Sequence, residues 1–159
     1  VLQIAELKEI LSSLIEENIS IRDIVYIFEK INDVLAFSDK TDLLKKLRVA
    51  LKAQISSCFA NQENIIYGYK LSDKFVEYFE SLFAKDSIEN TLSKQKFKQI
   101  INKIKKILSS DEIDKIIIFT PADVRKLVYD ILKPYINNIV IMAYEEIDEN
   151  FKACVVEEI

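Results

Sequence analysis

The residue types that most often carry chemistry are scarce in this chain of 159 residues, and their scarcity decides a good deal. Histidine is absent. No Ser–His or Cys–His nucleophile pair can form, and no histidine-ligated zinc or facial-triad iron centre either. Glycine occurs once, at Gly68. Loops that cradle phosphates need glycines for close backbone approach, so Rossmann and Walker-type nucleotide sites are excluded. Cys58 and Cys154 stand far apart among apolar neighbours. They read as buried free thiols of a reducing compartment, with a disulfide between them left open. The inventory assigns no catalytic residue, no metal ligand and no cofactor. A carboxylate pair working as acid and base remains open by residue type, but no spacing sets two carboxylates across a cleft.

Two charged constellations stand out. Lys94, Lys96, Lys98, Lys103, Lys105 and Lys106 fall in a stretch, 91–110, that holds no acid. They are either a docking face for an acidic partner, a membrane or a nucleic acid, or the solvated back of a helix whose apolar face is Phe97, Ile100, Ile101 and Ile104. The helix back is the favoured reading. Near the C-terminal end Glu145, Glu146, Asp148, Glu149, Glu157 and Glu158 oppose only Lys152. They lack the alternating ligands and central glycine of an EF-hand loop, so a solvated turn is expected.

The elements that hold these residues follow from hydrophobic period. Ile4, Leu7, Leu11, Leu14 and Ile15 mark a first helix that breaks at Asn18-Ile19. Ser20 is placed to cap a second, with Asp23 reaching back to it and Ile19 and Ile24 as its staple. That helix continues through Ile24, Phe28, Ile31 and Leu35. A third runs from Leu43 to Ile55 and fades near Cys58. After the polar run 61–64 the period changes. A strand is expected over 64–70, then helices capped by Ser72 and Ser93. Ile116–Phe119 and Ile139–Tyr144 are apolar runs suited to strands buried on both faces. Between them Thr120 is placed as a cap, Pro121 at the first helical position and Asp123 as the capping-box acid. Strand, helix, strand in about thirty residues is a βαβ unit, with parallel strands. Phe151–Val156 adds a last strand. The fold class is mixed α+β: a helical subdomain at 1–61 followed by a small α/β subdomain at 62–159.

Half the residues are hydrophobic and 30% charged, which suits a chain that buries a core and excludes a disordered tail. The net charge is −4. Of 22 basic residues only Arg22, Arg48 and Arg125 are arginine, the residue that base readout and bidentate phosphate contacts favour. No nucleic-acid partner is expected. The longest apolar run, Ile139–Tyr144, is far short of a membrane span. The chain opens on Val1 rather than Met, as expected of a piece of a longer polypeptide.

Three stretches in order carry a resemblance. Ile10–Ile31 holds a short helix, a break, then Ser20-Ile21-Arg22-Asp23 and an amphipathic helix. Leu47–Ile55 reads LRVALKAQI. Ile116–Ile147 reads IIIFTPADVRKLVYDILKPYINNIVIMAYEEI. Together they resemble the C-terminal cytoplasmic region of the FlhA/InvA export-gate family of type III secretion systems, over nearly the whole chain. The resemblance implies the last two of four cytosolic subdomains, on the cytoplasmic face of the bacterial inner membrane. It implies no enzyme, but part of a ring that receives chaperone–substrate complexes for export. The implied partners are neighbouring copies, those complexes and the secretion ATPase machinery. Family contacts pair the third subdomain with a neighbour's first, so these 159 residues alone are expected to be monomeric. Arg22 and Arg48 are the interface candidates, since interfaces favour Arg over Lys. The competing reading pairs both with acids on their own helices. The alternative to the export gate is a small ligand-binding or carboxylate-dependent α/β domain, its site at the strand ends near Thr120 and Tyr144.

Overall fold

The computed structural model describes residues 2–83 and 91–159. Two compact units emerge. One comprises Val1–Asn64 together with Glu145–Lys152, the other Ile65–Tyr144 together with Ala153–Ile159. A single cut at 61/62 therefore misses a detail: eight residues late in the chain belong with the helices. The charged contacts described below are the reason.

In the helical unit α1 is Ile4–Glu16, α2 Ile24–Phe37, α3 Leu43–Ala50 and α4 Lys52–Phe59. Asn18 ends α1 in the left-handed region (φ 62°), where asparagine is among the few tolerated side chains. Its N–H reaches the Ile15 carbonyl at 3.0 Å, and the Ile19 N–H reaches Leu14 at 2.8 Å. The single helix expected over 43–55 is two, bent at Leu51 (φ −92°, ψ 15°). Leu51 is itself fully buried, and the Leu51 and Ile55 N–H groups still bond four residues back, so the bend costs little. Leu14, Ile27, Ile31, Leu47 and Ile55 make up the centre of this unit.

The cap of α2 is displaced from its expected place. Asp23, not Ser20, is the capping residue, its Oδ1 accepting from the Tyr26 N–H at 3.1 Å. Ser20 Oγ instead accepts from the Arg22 N–H at 3.2 Å, a local turn ahead of the helix. The Ile19–Ile24 staple goes with the displaced cap. Asp23→Ala is accordingly expected to cost about 1 kcal/mol. Ser20→Ala should stay within about 0.5 kcal/mol. Urea midpoints of the two variants check the order, and the reverse order would mean that the helix starts at Ser20.

The α/β unit carries β1 (Ile65–Lys70), α5 (Asp73–Phe83), α6 (Thr91–Ser110), β2 (Ile116–Thr120), α7 (Ala122–Leu132), β3 (Ile139–Ala143), a 3-10 turn at Tyr144–Glu146 and β4 (Lys152–Glu158). The sheet order is β3-β2-β1-β4. β1 and β2 are parallel, with Tyr69 opposite Ile118. So are β2 and β3, with Ile118 opposite Ile141. β4 lies along β1 in the same direction, because the Lys152 N–H bonds to Asn64 and the Ile159 N–H to Lys70. Two crossovers that step the same way place their helices on one face of a sheet. Tyr69, Ile116, Ile118, Ile139 and Ile141 accordingly share a core with Phe75 and Phe79 of α5, Ile100 and Ile104 of α6, and Val124 and Val128 of α7. The mixed α/β fold and its parallel βαβ unit are thus present.

Smaller expectations shift by a residue or a turn. Ser72 precedes α5 as expected, its Oγ accepting from the Phe75 N–H at 3.4 Å. Ser93 lies inside α6 rather than at its start, and its side chain falls outside the described residues. The α7 cap is Pro121, while Thr120 remains in the strand, its hydroxyl donating to the Pro121 carbonyl at 3.1 Å.

Candidate functional site

Arg48 sits where an apolar residue would be expected. It follows Leu44 by four positions and precedes Leu51 by three, on the inward side of α3 and α4. The structure places it 1% exposed. A buried guanidinium must be matched by carboxylate and hydrogen bonds, because desolvation costs several kcal/mol. Glu146, also 1% exposed, provides a bidentate match: Arg48 Nε donates to Oε2 at 2.8 Å and Nη2 to Oε1 at 2.9 Å. Glu17, at the end of α1, stands 3.7 Å from Nη1.

Ser56 of α4 secures the same segment. Its hydroxyl donates to the Glu146 carbonyl at 3.0 Å and accepts from the Asp148 N–H at 2.9 Å. Asp148 Oδ1 in turn accepts from the Asn150 N–H at 3.0 Å. At the solvent edge Lys52 Nζ bonds Glu149 Oε1. That bond holds the Glu149 carboxyl below, and the Lys52 ammonium above, their ordinary values. Residues 145–152 are therefore stitched to α1, α3 and α4 by one charged network.

This arrangement corrects three expectations. The acidic turn is not simply solvated, since Glu146 and Asp148 are buried. Arg48 is no surface contact, and its partners lie 98 residues away or on another helix rather than on its own. The cysteines are free but not buried: Cys58 is exposed and Cys154 half-buried. Arg22 does lie on the surface, just ahead of the α2 cap. The third arginine, Arg125, is buried, its Nη1 donating to the Ile141 carbonyl at 3.2 Å.

The lysines of α6 are exposed apart from the half-buried Lys96, as expected of a helix back. Lys103 and Lys106 border a cavity of about 320 Å³ whose other wall holds Asp111, Glu157 and Glu158, so the positive face is partly balanced within its own unit. Tyr69 donates its hydroxyl to Asp111 Oδ2 at 2.7 Å nearby. Burial first, and that bond second, push the Tyr69 phenol up to about 12. A tyrosine in the unfolded chain ionises near 10. The favoured neutral phenol therefore contributes fully below pH ~10, and its contribution is lost as pH rises toward ~12. Tyr69→Phe is expected to flatten the fall in denaturation midpoint across that window. An equal fall in both proteins would contradict the assignment.

At the strand ends Thr120 is fully buried and Tyr144 stacks on Phe119, with ring centroids 6.4 Å apart. Among the described residues no cluster of three carboxylate or thiol groups is placed to hold a metal ion, and no helix is long and apolar enough to cross a membrane.

The FHIPEP family model matches residues 1–152. The chain belongs to the FHIPEP family. The flagellar biosynthesis protein FlhA of Treponema pallidum is 23% identical to it over 157 residues, covering 94% of this chain and 22% of the relative. This FHIPEP chain thus spans less than a quarter of the length of the curated relatives it matches. Among solved structures, the MxiA protein of Shigella flexneri shares the fold with a TM-score of 0.84 at 21% identity, over 99% of this chain and 50% of MxiA. The nonameric EPEC SctV-C does so with a TM-score of 0.79 at 22% identity, over 99% of this chain and 49% of that one. The resemblance to the FlhA/InvA export-gate family, read from three short stretches, therefore stands.

Proposed function

We propose that this chain is part of the cytoplasmic ring of a type III export gate, the apparatus that flagella and virulence injectisomes share. The observation that carries the reading is the family match over residues 1–152, joined to a fold shared along 99% of the chain with a nonameric relative. In this role the chain lies on the cytoplasmic side of the bacterial inner membrane. It binds neighbouring copies, chaperone–substrate complexes and the secretion ATPase machinery, and catalyses nothing itself. The buried Arg48–Glu146 network suits a scaffold, since its charges are spent on holding residues 145–152 rather than turned toward a substrate. Arg22, exposed beside the α2 cap, is a contact between copies.

Deleting residues 1–159 from the intact protein in its bacterium tests the role. Export of flagellar or injectisome subunits into the medium is expected to cease and to return on complementation with the intact gene. Undiminished export would overturn the proposal. The 159 residues alone are expected to sediment as a monomer.

A further inference from the structure

The two edges of the sheet are finished differently. The Ile116 N–H bonds to Asn138 at 3.0 Å, so on β3 Asn138, Val140 and Met142 turn their backbone groups to β2, while Ile141 turns its own outward. Arg125 donates to that outward carbonyl at 3.2 Å, and every residue of β3 is buried. That edge is closed. β4 is the other edge, and its residues from Val155 to Glu158 are exposed. Ile159 donates to the Lys70 carbonyl at 2.8 Å and accepts from the Ser72 N–H at 3.0 Å. Its neighbour Glu158 therefore turns N–H and carbonyl to the free edge. Between the Lys152–Asn64 and Ile159–Lys70 bonds β4 takes one residue more than β1, which is a bulge. Bulges guard an edge against pairing along its whole length, so any strand added here is short.

Beside this open end lies the cavity of about 320 Å³ that α6 and β4 share. Lys103 and Lys106 line it from α6, Glu157 and Glu158 from β4, and Ile107 and Ile159 add apolar surface. Lys103 rests over the Phe75 ring, its Nζ 5.4 Å from the centroid. Among the described residues none of the four charges has an ion-pair partner. Opposite charges that line one cavity without meeting are complemented by a ligand carrying both signs on opposite sides. An extended polypeptide does so when acids and bases alternate along it, because successive side chains point to opposite sides. We infer that the end of β4 and this cavity bind a short extended segment of another polypeptide, its acids directed to Lys103 and Lys106 and its bases to Glu157 and Glu158. The outward N–H and carbonyl of Glu158 bond its main chain, as in strand addition. The inference goes beyond the export-gate role and does not rest on it.

The test titrates the 159-residue chain into two fluorescently labelled peptides of identical composition, one with glutamate and lysine alternating, the other with all glutamates in one block and all lysines in the next. Anisotropy at low ionic strength reads the affinity. The alternating peptide is expected to bind about tenfold or more tightly than the block peptide. Lys103→Glu with Lys106→Glu, and separately Glu157→Lys with Glu158→Lys, should each weaken it about tenfold with thermal unfolding unchanged, since all four side chains are exposed. Joining the two pairs of changes inverts both walls and should restore binding, because the peptide can turn over. If one pair lowers the unfolding midpoint, the pair on the other wall still decides. Equal affinity for the two peptides, or full affinity in both double variants, would overturn the inference. So would wild-type self-association that the alternating peptide does not displace, since the occupant would then be a second copy of this chain.

Discussion

Arg48→Ala is expected to lower the free energy of unfolding by about 3–5 kcal/mol, the cost of breaking a buried ion pair by removing one partner. The variant removes the bidentate partner of Glu146, 1% exposed, and a cation 3.7 Å from Glu17, 7% exposed. Arg48→Lys keeps the charge but forfeits the bidentate geometry of the 2.8 and 2.9 Å bonds, so it should recover only part of the loss. The triple change Arg48→Met, Glu146→Leu, Glu17→Met should be far milder than Arg48→Ala, because the guanidinium and the two carboxylates that face it are removed together. Urea unfolding of the three proteins decides it. A loss below about 1 kcal/mol for Arg48→Ala would mean that water reaches the pair and the network is not sealed.

That network also shows what local sequence can and cannot reveal. The βαβ unit was legible because parallel strands buried on both faces leave continuous apolar runs, as at Ile116–Thr120 and Ile139–Ala143. Arg48 itself left a trace, as a charged residue on the Leu44–Leu51 stripe. Its partner left none: Glu146 stands among five other late acids, 98 residues away, and only tertiary packing distinguishes it. The α2 cap was misplaced because Ser20 and Asp23 are both good caps, and local hydrogen-bond chemistry does not choose between them. Cys58 looked buried beside Ile55 and Phe59, yet α4 turns it outward. Phe28 fitted the helical period as a core residue, and only the fold shows Ile27 taking that place.

Gly68→Ala is expected to cost about 1–3 kcal/mol, the range for a methyl forced into a packed core. The glycine is not there for its backbone, since its φ is not positive. It is there for space. A Cβ at this position would lie 2.5 Å from Phe119 Cε2, 2.7 Å from Cζ and 3.0 Å from the Ile117 carbonyl oxygen. Lys70 pairs with Phe119 across β1 and β2, so Gly68 falls on the same face of the sheet as the ring. The ring has little room to retreat, being fully buried with Tyr144 stacked beyond it at an interplanar angle of 27°. The usual gain of about 0.4–1 kcal/mol from replacing glycine, which narrows the unfolded ensemble, is too small to offset the clash. Trimming the ring should relieve it. Phe119→Leu alone leaves a cavity, but Gly68→Ala combined with Phe119→Leu should lose clearly less than the sum of the single changes, since the new methyl fills part of the space left by the old ring. Strictly additive losses would place the strain at the Ile117 carbonyl instead, where no side-chain change can relax it.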